Sequence, residues 1–99
     1  MKTVITRVRV QPDREEEWDE AFRERVEAAK QQPGFVSAHV CAPDEAPDER
    51  LVIGTWQSED DWRQWHEQEE FVETRRRLER ADEESGRPVW HAVLIDEHR

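Results

Sequence analysis

The chain has 99 residues and a formal net charge of −10 at pH 7. This length fits one domain, so we expect residues 1–99 to share a single core. The negative charge argues against binding to nucleic acid or to an anionic membrane surface, because both of these partners are polyanions. A domain of this size buries about two thirds of the surface of its extended chain, so we expect association to add stability.

Cysteine content and the amino-terminal segment indicate a cytoplasmic protein. Cys41 is the single cysteine, which rules out a disulfide within the chain. The segment 1–10 alternates in polarity and lacks the continuous apolar core of a signal peptide. No apolar run approaches the roughly 20 residues that a membrane-spanning helix needs. We therefore expect a soluble protein in the reducing cytoplasm.

The first predicted element is a strand over 3–10, which reads TVITRVRV. Val4 and Val8 fall on one face together with Thr6, whereas Ile5 falls on the other face. This period of two is typical of a strand with one buried face.

A helix is predicted over 14–31. Asp13, with Glu16 three residues later, indicates an N-cap and a capping box. Apolar residues then recur at the spacing of one helical face, namely Trp18, Ala21, Phe22, Val26 and Ala29. A Pro-Gly pair at 33–34 ends this helical segment.

Two strands follow the helix. Residues 35–42, FVSAHVCA, are apolar enough to predict a strand that is covered on both faces. An acidic, Pro-rich turn connects them to a second strand over 50–57, so the two strands are expected to form a hairpin.

The last third of the chain predicts helices and a closing strand. Ser58, with Asp61 three residues later, indicates the cap of the next helix. An apolar stripe that includes Phe71 continues along a further helical segment. Residues 89–96 are rich in β-branched side chains and predict the fourth strand.

The order strand, helix, strand, strand, helix, strand is the split βαβ arrangement called ferredoxin-like, which is an α+β fold. It places the helices on one face of a four-stranded antiparallel sheet. The opposite face also carries apolar residues, and so short a chain has nothing left to cover it. Two sheets that meet face to face in a homodimer would cover both faces.

Three stretches, QPGFVSAHV, TWQSEDDWRQW and EEF, resemble the antibiotic biosynthesis monooxygenase family, a group of dimeric α/β barrels that includes quinol oxygenases and haem-degrading oxygenases. The resemblance covers nearly the whole chain, and the Trp-x-Ser block at 56–58 is its most specific part. It implies a pocket between helices and sheet, with the strand-end Trp56 pointing into it. It also implies a homodimer and a small aromatic ligand.

This resemblance favours a cofactor-independent monooxygenase that oxidises a planar aromatic or quinol substrate with O2. In such chemistry the anion of the substrate itself gives an electron to oxygen, so the protein supplies a dry pocket, a base and a group that stabilises the oxyanion. The expected substrate-binding walls are Trp56, Trp65, Phe22 and Phe71. For Trp56 the alternative interpretation is simple core packing, and for Trp65 it is packing in the core or at a subunit contact.

Three polar residues are candidates for the catalytic groups. His66 could remove a proton from a phenolic hydroxyl, because the unperturbed pKa of histidine lies near neutrality. Arg75 lies on the apolar stripe with Phe71, where it could bind a carboxylate or enolate oxygen or else extend to the rim. Thr6 is expected to be a further polar contact.

Haem is an alternative ligand. The haem-degrading branch uses an Asn on the first strand, the strand-end Trp and a His on the second helix, and this chain carries Thr6 and Arg75 at the Asn and His positions. An arginine cannot ligate iron, because it stays protonated and offers no lone pair. Haem binding would therefore need His66 instead.

A third hypothesis is a dimeric domain that binds a small molecule without catalysis.

His39 and Cys41 would lie on one side of a strand, but two candidate ligands are a weak signal for a metal, so no metal site is expected. His91 is predicted to be an interface histidine.

Overall fold

The computed structural model describes residues 1–81, 90–93, 95, 96 and 98. Their elements, in chain order, are β1 (Lys2–Arg9), α1 (Glu15–Ala29), β2 (Phe35–Cys41), β3 (Glu49–Trp56), α2 (Glu59–His66), α3 (Glu69–Ala81) and β4 (Trp90–Val93). The strands form one sheet in the order β2-β3-β1-β4, and every neighbouring pair is antiparallel. The predicted ferredoxin-like α+β fold is confirmed. Within the described segments, no helix is long and apolar enough to cross a membrane.

Strand β1 holds the centre of the sheet. It pairs with β3 along its whole length, from Lys2 opposite Trp56 to Arg9 opposite Glu49, and its residues 4–7 pair with β4. Its alternation of polarity matches the predicted period, because Val4 is buried while Arg9 is exposed.

The closing strand is shorter than the sequence indicated. It covers Trp90–Val93, and residues 95 and 96 lie outside regular structure. Positions 89 and 94 of the predicted strand, and the side chain of His91, lie outside the described part of the chain.

The predicted N-cap at Asp13 is wrong. Asp13 has a φ of 68°, and the backbone N–H of Arg14 donates to the carbonyl of Gln11 over 3.0 Å. This is the pattern of a type II turn, which favours Pro at its second position and tolerates Asp in the left-handed region at its third. The helix therefore starts one residue later, after Arg14, which makes no side-chain cap bond. Three carboxylates in the first turn, Glu15–Glu17, favour that helix end instead.

The predicted cap of α2 is confirmed. Ser58 Oγ accepts from the backbone N–H of Asp61 over 3.1 Å and donates to the carboxylate of the same residue over 2.9 Å. Gly34 lies against this cap with a φ of 85°, and its carbonyl accepts from the Gln57 backbone N–H over 2.7 Å. A Cβ at Gly34 would collide with the Asp61 side chain, so glycine is required there by both space and conformation.

Two clusters of buried side chains lie between helices and sheet. The first consists of Val10, Trp18, Ala21, Phe22 and Leu78. The second consists of Ala29, Trp56, Trp65 and Phe71. Both join α1 and α3 to the sheet, so the aromatic residues hold the two layers together.

Strand β2 lies at the sheet edge, which makes the prediction that it is covered on both faces wrong for the single chain. Val36 and Val40 are 44% and 42% exposed, and Cys41 is exposed as well. An edge strand has a neighbour on one side only, and here the helices leave part of it uncovered.

The sheet face away from the helices is called here the outer sheet face. Its centre is formed by half-buried Ile5, Leu51 and Ile53. A hydrogen bond of 3.0 Å joins the hydroxyls of Thr3 and Thr55 at one end. At the other end the Arg7 guanidinium donates twice to the Glu49 carboxylate, over 3.1 and 2.8 Å.

Candidate functional site

A cavity of about 310 Å³ lies between the sheet and the helices. Its lining includes every site residue predicted from the sequence: Thr6, Phe22, Trp56, Trp65, His66, Phe71 and Arg75. Cavities that hold small organic molecules measure about 300–1,000 Å³, so this one has the size for a small, compact ligand. The fold thus brings the seven residues together, while their roles stay predictions.

The floor of the cavity is formed by alternate residues of the central strands. Val4 and Thr6 come from β1, and Val52 and Gly54 come from β3. A Cβ built on Gly54 would have no other heavy atom within 4 Å. The missing side chain at Gly54 therefore leaves open space in the floor. Sequence analysis overlooked Gly54, although a glycine inside a strand often marks a close approach of a ligand or a bend.

The wall beside β3 is aromatic. Trp56 is 4% exposed, and its ring meets Phe35 edge-on at 5.5 Å and Trp65 at 6.1 Å with a 27° angle between planes. The Trp65 ring in turn meets Phe71 edge-on at 5.6 Å. Trp56 is therefore a core residue and a cavity wall at once, so the two interpretations of it do not exclude each other.

His66 lies at the end of α2 and is half-buried. Its Nδ1 is 2.8 Å from the carbonyl oxygen of Trp62. A carbonyl only accepts, so Nδ1 carries a proton in this contact, and the lone pair of the neutral ring lies on Nε2. The ring centroid is 4.2 Å from that of Phe71, which fixes the imidazole against a cavity wall. This geometry suits a residue that takes up a proton at Nε2.

Arg75 and Thr6 differ in their burial. Arg75 lines the cavity but is an exposed residue of α3, which places it at the rim. Thr6 is half-buried in the floor, and its Cα pairs with those of Val52 and His91 in the neighbouring strands.

Arg25 of α1 lines the cavity and was missed by sequence analysis. Its Nε donates to Thr74 Oγ1 over 3.0 Å, and its Nη2 donates to the carbonyl of Phe71 over 3.1 Å. Its Cζ lies 4.2 Å from the centroid of the Phe71 ring, a cation–π distance. The signal for it is periodicity, because Arg25 follows Phe22 by three residues on the apolar face of α1.

The cavity is lined by positive and apolar groups. Its ionisable lining residues, as far as the described residues bound it, are Arg25, Arg75 and His66, with no Asp or Glu among them. This contrasts with the formal charge of −10 on the whole chain. The site is thus locally suited to an anion within an acidic protein.

His39 and Cys41 lie outside this site. Both are exposed on β2, and their Cα partners in β3 are Ile53 and Leu51 of the outer sheet face. Across the described residues, no group of three or more His, Cys, Asp or Glu side chains is placed to hold a metal ion.

Solved structures of low sequence identity share this fold. One is a conserved protein from Methanosarcina mazei, with a TM-score of 0.85 and 16% identity over 97% of this chain and 92% of that chain. A second is SnoaB, a cofactor-independent oxygenase from Streptomyces nogalater, with a TM-score of 0.84 and 18% identity over 99% and 94%. Rv0793 from Mycobacterium tuberculosis has a TM-score of 0.81 and 15% identity over 99% and 96%. At these identities the likeness establishes the fold.

A search of curated proteins gives no match. The sequence model of the family described as antibiotic biosynthesis monooxygenase matches residues 1–77, which include β1 to α2 and most of α3. The matched segment contains every residue of the predicted site. The chain therefore belongs to the antibiotic biosynthesis monooxygenase family.

Proposed function

We propose that the protein is a cofactor-independent monooxygenase that oxidises a planar aromatic or quinol substrate with O2. The observation that carries this proposal is the aromatic-walled cavity of about 310 Å³ with the imidazole of His66 at its edge. Flat aromatic walls favour flat substrates, and a base in an apolar cavity can remove a proton from a phenol or an activated methylene. The likeness to SnoaB, a cofactor-independent oxygenase, supports the proposal that no cofactor is needed.

The proposed reaction begins with proton transfer from the substrate to Nε2 of His66. The resulting carbanion or phenolate gives one electron to O2, and the substrate radical and superoxide then combine into a carbon-bound peroxide. Loss of water from the peroxide converts the ring CH2 group to a carbonyl, so that CH2 and O2 yield C=O and H2O. The substrate loses four electrons and O2 gains four.

The protein contributes orientation and a dry environment. Trp56 and Trp65, each 4% exposed, would hold the ring plane and exclude water from the reacting carbon. A cationic side chain would stabilise the anion that forms after deprotonation, because charges interact more strongly away from water. Arg25 and Arg75 both line the cavity and are the candidates for this role.

Haem fits this cavity less well than a small fused-ring compound. The volume lies at the low end for ligand cavities. The family resemblance places Arg75 at the position of the iron ligand of the haem-degrading branch, and an arginine offers no lone pair to iron.

We further propose that two chains associate through the outer sheet face. Half-buried Ile5, Leu51 and Ile53 form its apolar centre, and covering them would stabilise a small domain. A dimer would have twice the chain mass of 11.9 kDa by light scattering. A mass near 11.9 kDa at micromolar concentration would contradict this assignment.

Oxygen uptake with a panel of hydroquinones and anthrones tests the proposed reaction. Chelator-treated protein should accelerate uptake above the rate of spontaneous oxidation for at least one compound. His66→Gln should lower kcat by about 10²- to 10⁴-fold, which is the usual contribution of a general base. His98→Gln is the matched control, because His98 is exposed and does not line the cavity. Saturable binding of the panel without any accelerated uptake would instead favour the non-catalytic binding domain.

A further inference from the structure

We infer that the cavity selects planar aromatic compounds that carry an ionised carboxylate, and that Arg25 is the residue that recognises this charge. The inference rests on the proposed function in one respect, namely that the cavity binds an aromatic substrate. It adds the chemical class of that substrate and a specificity-determining residue that was absent from the sequence prediction.

The Arg25 side chain is held in place by α3. Hydrogen bonds to Thr74 Oγ1 and to the Phe71 carbonyl fix the guanidinium to one turn of α3, and the Phe71 ring supports its face. Thr74 is itself 6% exposed and donates to the Phe71 carbonyl over 3.1 Å. The acceptors in these two bonds are neutral oxygens, and the bonds orient the guanidinium. An oriented guanidinium loses little conformational entropy when it binds an anion.

The guanidinium of Arg25 lies near His66. The Arg25 Cζ and the His66 ring centroid each lie 4.2 Å from the centroid of Phe71. The two groups therefore flank one aromatic ring, at the same end of the cavity. A substrate that reaches His66 with its acidic proton would have its charged edge close to Arg25.

The ionisable residues around the cavity are basic. The lining residues within the described part of the chain include two arginines and no carboxylate, in a chain of formal charge −10. An acidic protein that concentrates guanidinium groups around an apolar cavity favours ligands that are both aromatic and anionic. A neutral quinol would satisfy the aromatic walls but leave the guanidinium without a charge partner from the ligand.

The test compares anthraquinone-2-carboxylate with anthraquinone-2-carboxamide, two probes of nearly the same shape. Binding is followed by quenching of tryptophan fluorescence. The wild type should bind the carboxylate about 10- to 100-fold more tightly, which is the range expected for a charge-assisted hydrogen bond in place of a neutral one. Arg25→Gln should abolish this preference, so that its ratio of carboxylate to carboxamide affinity falls to about one.

Arg23→Gln is the matched control, because it removes the same charge from an exposed position of the same helix. It should keep the full preference. Arg25→Lys retains the charge without the planar fork and should keep a reduced preference, which preserves the test if Arg25→Gln does not fold.

Each result decides a different claim. Equal affinity of the wild type for both probes, or an unchanged preference in Arg25→Gln, would overturn the inference and leave the aromatic cavity standing. A wild type that binds neither probe would overturn the inference together with the proposed function.

Discussion

Replacing Gly54 by alanine should stabilise the protein and weaken ligand binding at the same time. Gly54 lies in the middle of β3 in the cavity floor, and an added Cβ would meet no heavy atom within 4 Å. Its φ is outside the left-handed range, so a side chain is compatible with the backbone there. The new methyl group would project into the cavity.

The magnitude follows from the reduced freedom of the unfolded chain, which contributes about 0.4–1 kcal/mol. A methyl group that meets no heavy atom within 4 Å adds no packing contact. The free energy of unfolding should thus rise by about 0.4–1 kcal/mol, and the Tm by roughly 4–8 °C for each kcal/mol at this chain length. The same methyl group takes space from a cavity of about 310 Å³, so affinity for anthraquinone-2-carboxylate should fall by at least about tenfold, which is the usual scale of overpacking.

Thermal unfolding and fluorescence titration on the same preparation check both effects. Val36→Ala is the control, because Val36 is 44% exposed on β2 and does not line the cavity. It should leave affinity unchanged. A lower Tm in Gly54→Ala would refute the claim of open space at this position, and an unchanged affinity would refute the claim that ligand occupies the floor.

Three further predictions concern stability. Gly34→Ala should lower the free energy of unfolding by at least about 1–2 kcal/mol in denaturant titration, because the left-handed backbone is strained for alanine and its methyl group would displace the Asp61 cap; equal stability would contradict this. Arg50→Met should lower the free energy of unfolding by about 2 kcal/mol, because it removes two charge-assisted hydrogen bonds, of 2.9 and 3.2 Å, from a largely buried guanidinium to Asp19. A decrease below about 0.5 kcal/mol would show that this ion pair contributes no more than an exposed one. The hydrogen bond from Arg7, opposed by desolvation, lowers the pKa of Glu49, so this residue stabilises the fold above pH 4.5 and loses that contribution as the pH falls through its folded-state pKa. The Tm of Glu49→Gln should therefore depend less on pH than the wild-type Tm between pH 6 and about pH 3, and parallel curves would exclude the linkage.

The topology and the wall of the cavity were predictable because they depend on local patterns. Alternating polarity gave β1, and the spacing from Trp18 to Ala29 gave α1. Ser58 and Asp61 gave the start of α2, since this pair satisfies backbone donors within four residues.

The two wrong predictions, for Asp13 and for β2, have a different physical origin. Asp13 has the residue type of an N-cap, but Pro12 before it favours a turn that sets its φ to 68°, and no residue type alone reveals that outcome. The exposure of β2 depends on its place at the sheet edge, which is a property of the strand order rather than of residues 35–41 themselves. The apolar composition of residues 35–41 alone therefore led to the prediction of a covered strand.

The aromatic residues of the site were predicted from the sequence, whereas only some of its charged residues were. Arg75 was singled out from its place on an apolar stripe, and the fold leaves it exposed at the rim. Arg25 likewise lies on an apolar helix face, that of α1. The contacts that fix it come from Thr74 and Phe71, which are distant in the sequence. Such contacts between helices become visible only once α1 and α3 are packed together.

Isotope labelling tests the central claim, oxygen insertion by the protein without a cofactor, most directly. Chelator-treated protein is given an anthrone substrate under ¹⁸O2, at a rate well above that of spontaneous oxidation, and the product is analysed by mass spectrometry. The proposed reaction predicts one ¹⁸O atom in the new carbonyl of the product and one molecule of O2 consumed per substrate. A product without label, or a rate that does not exceed the spontaneous rate, would contradict it.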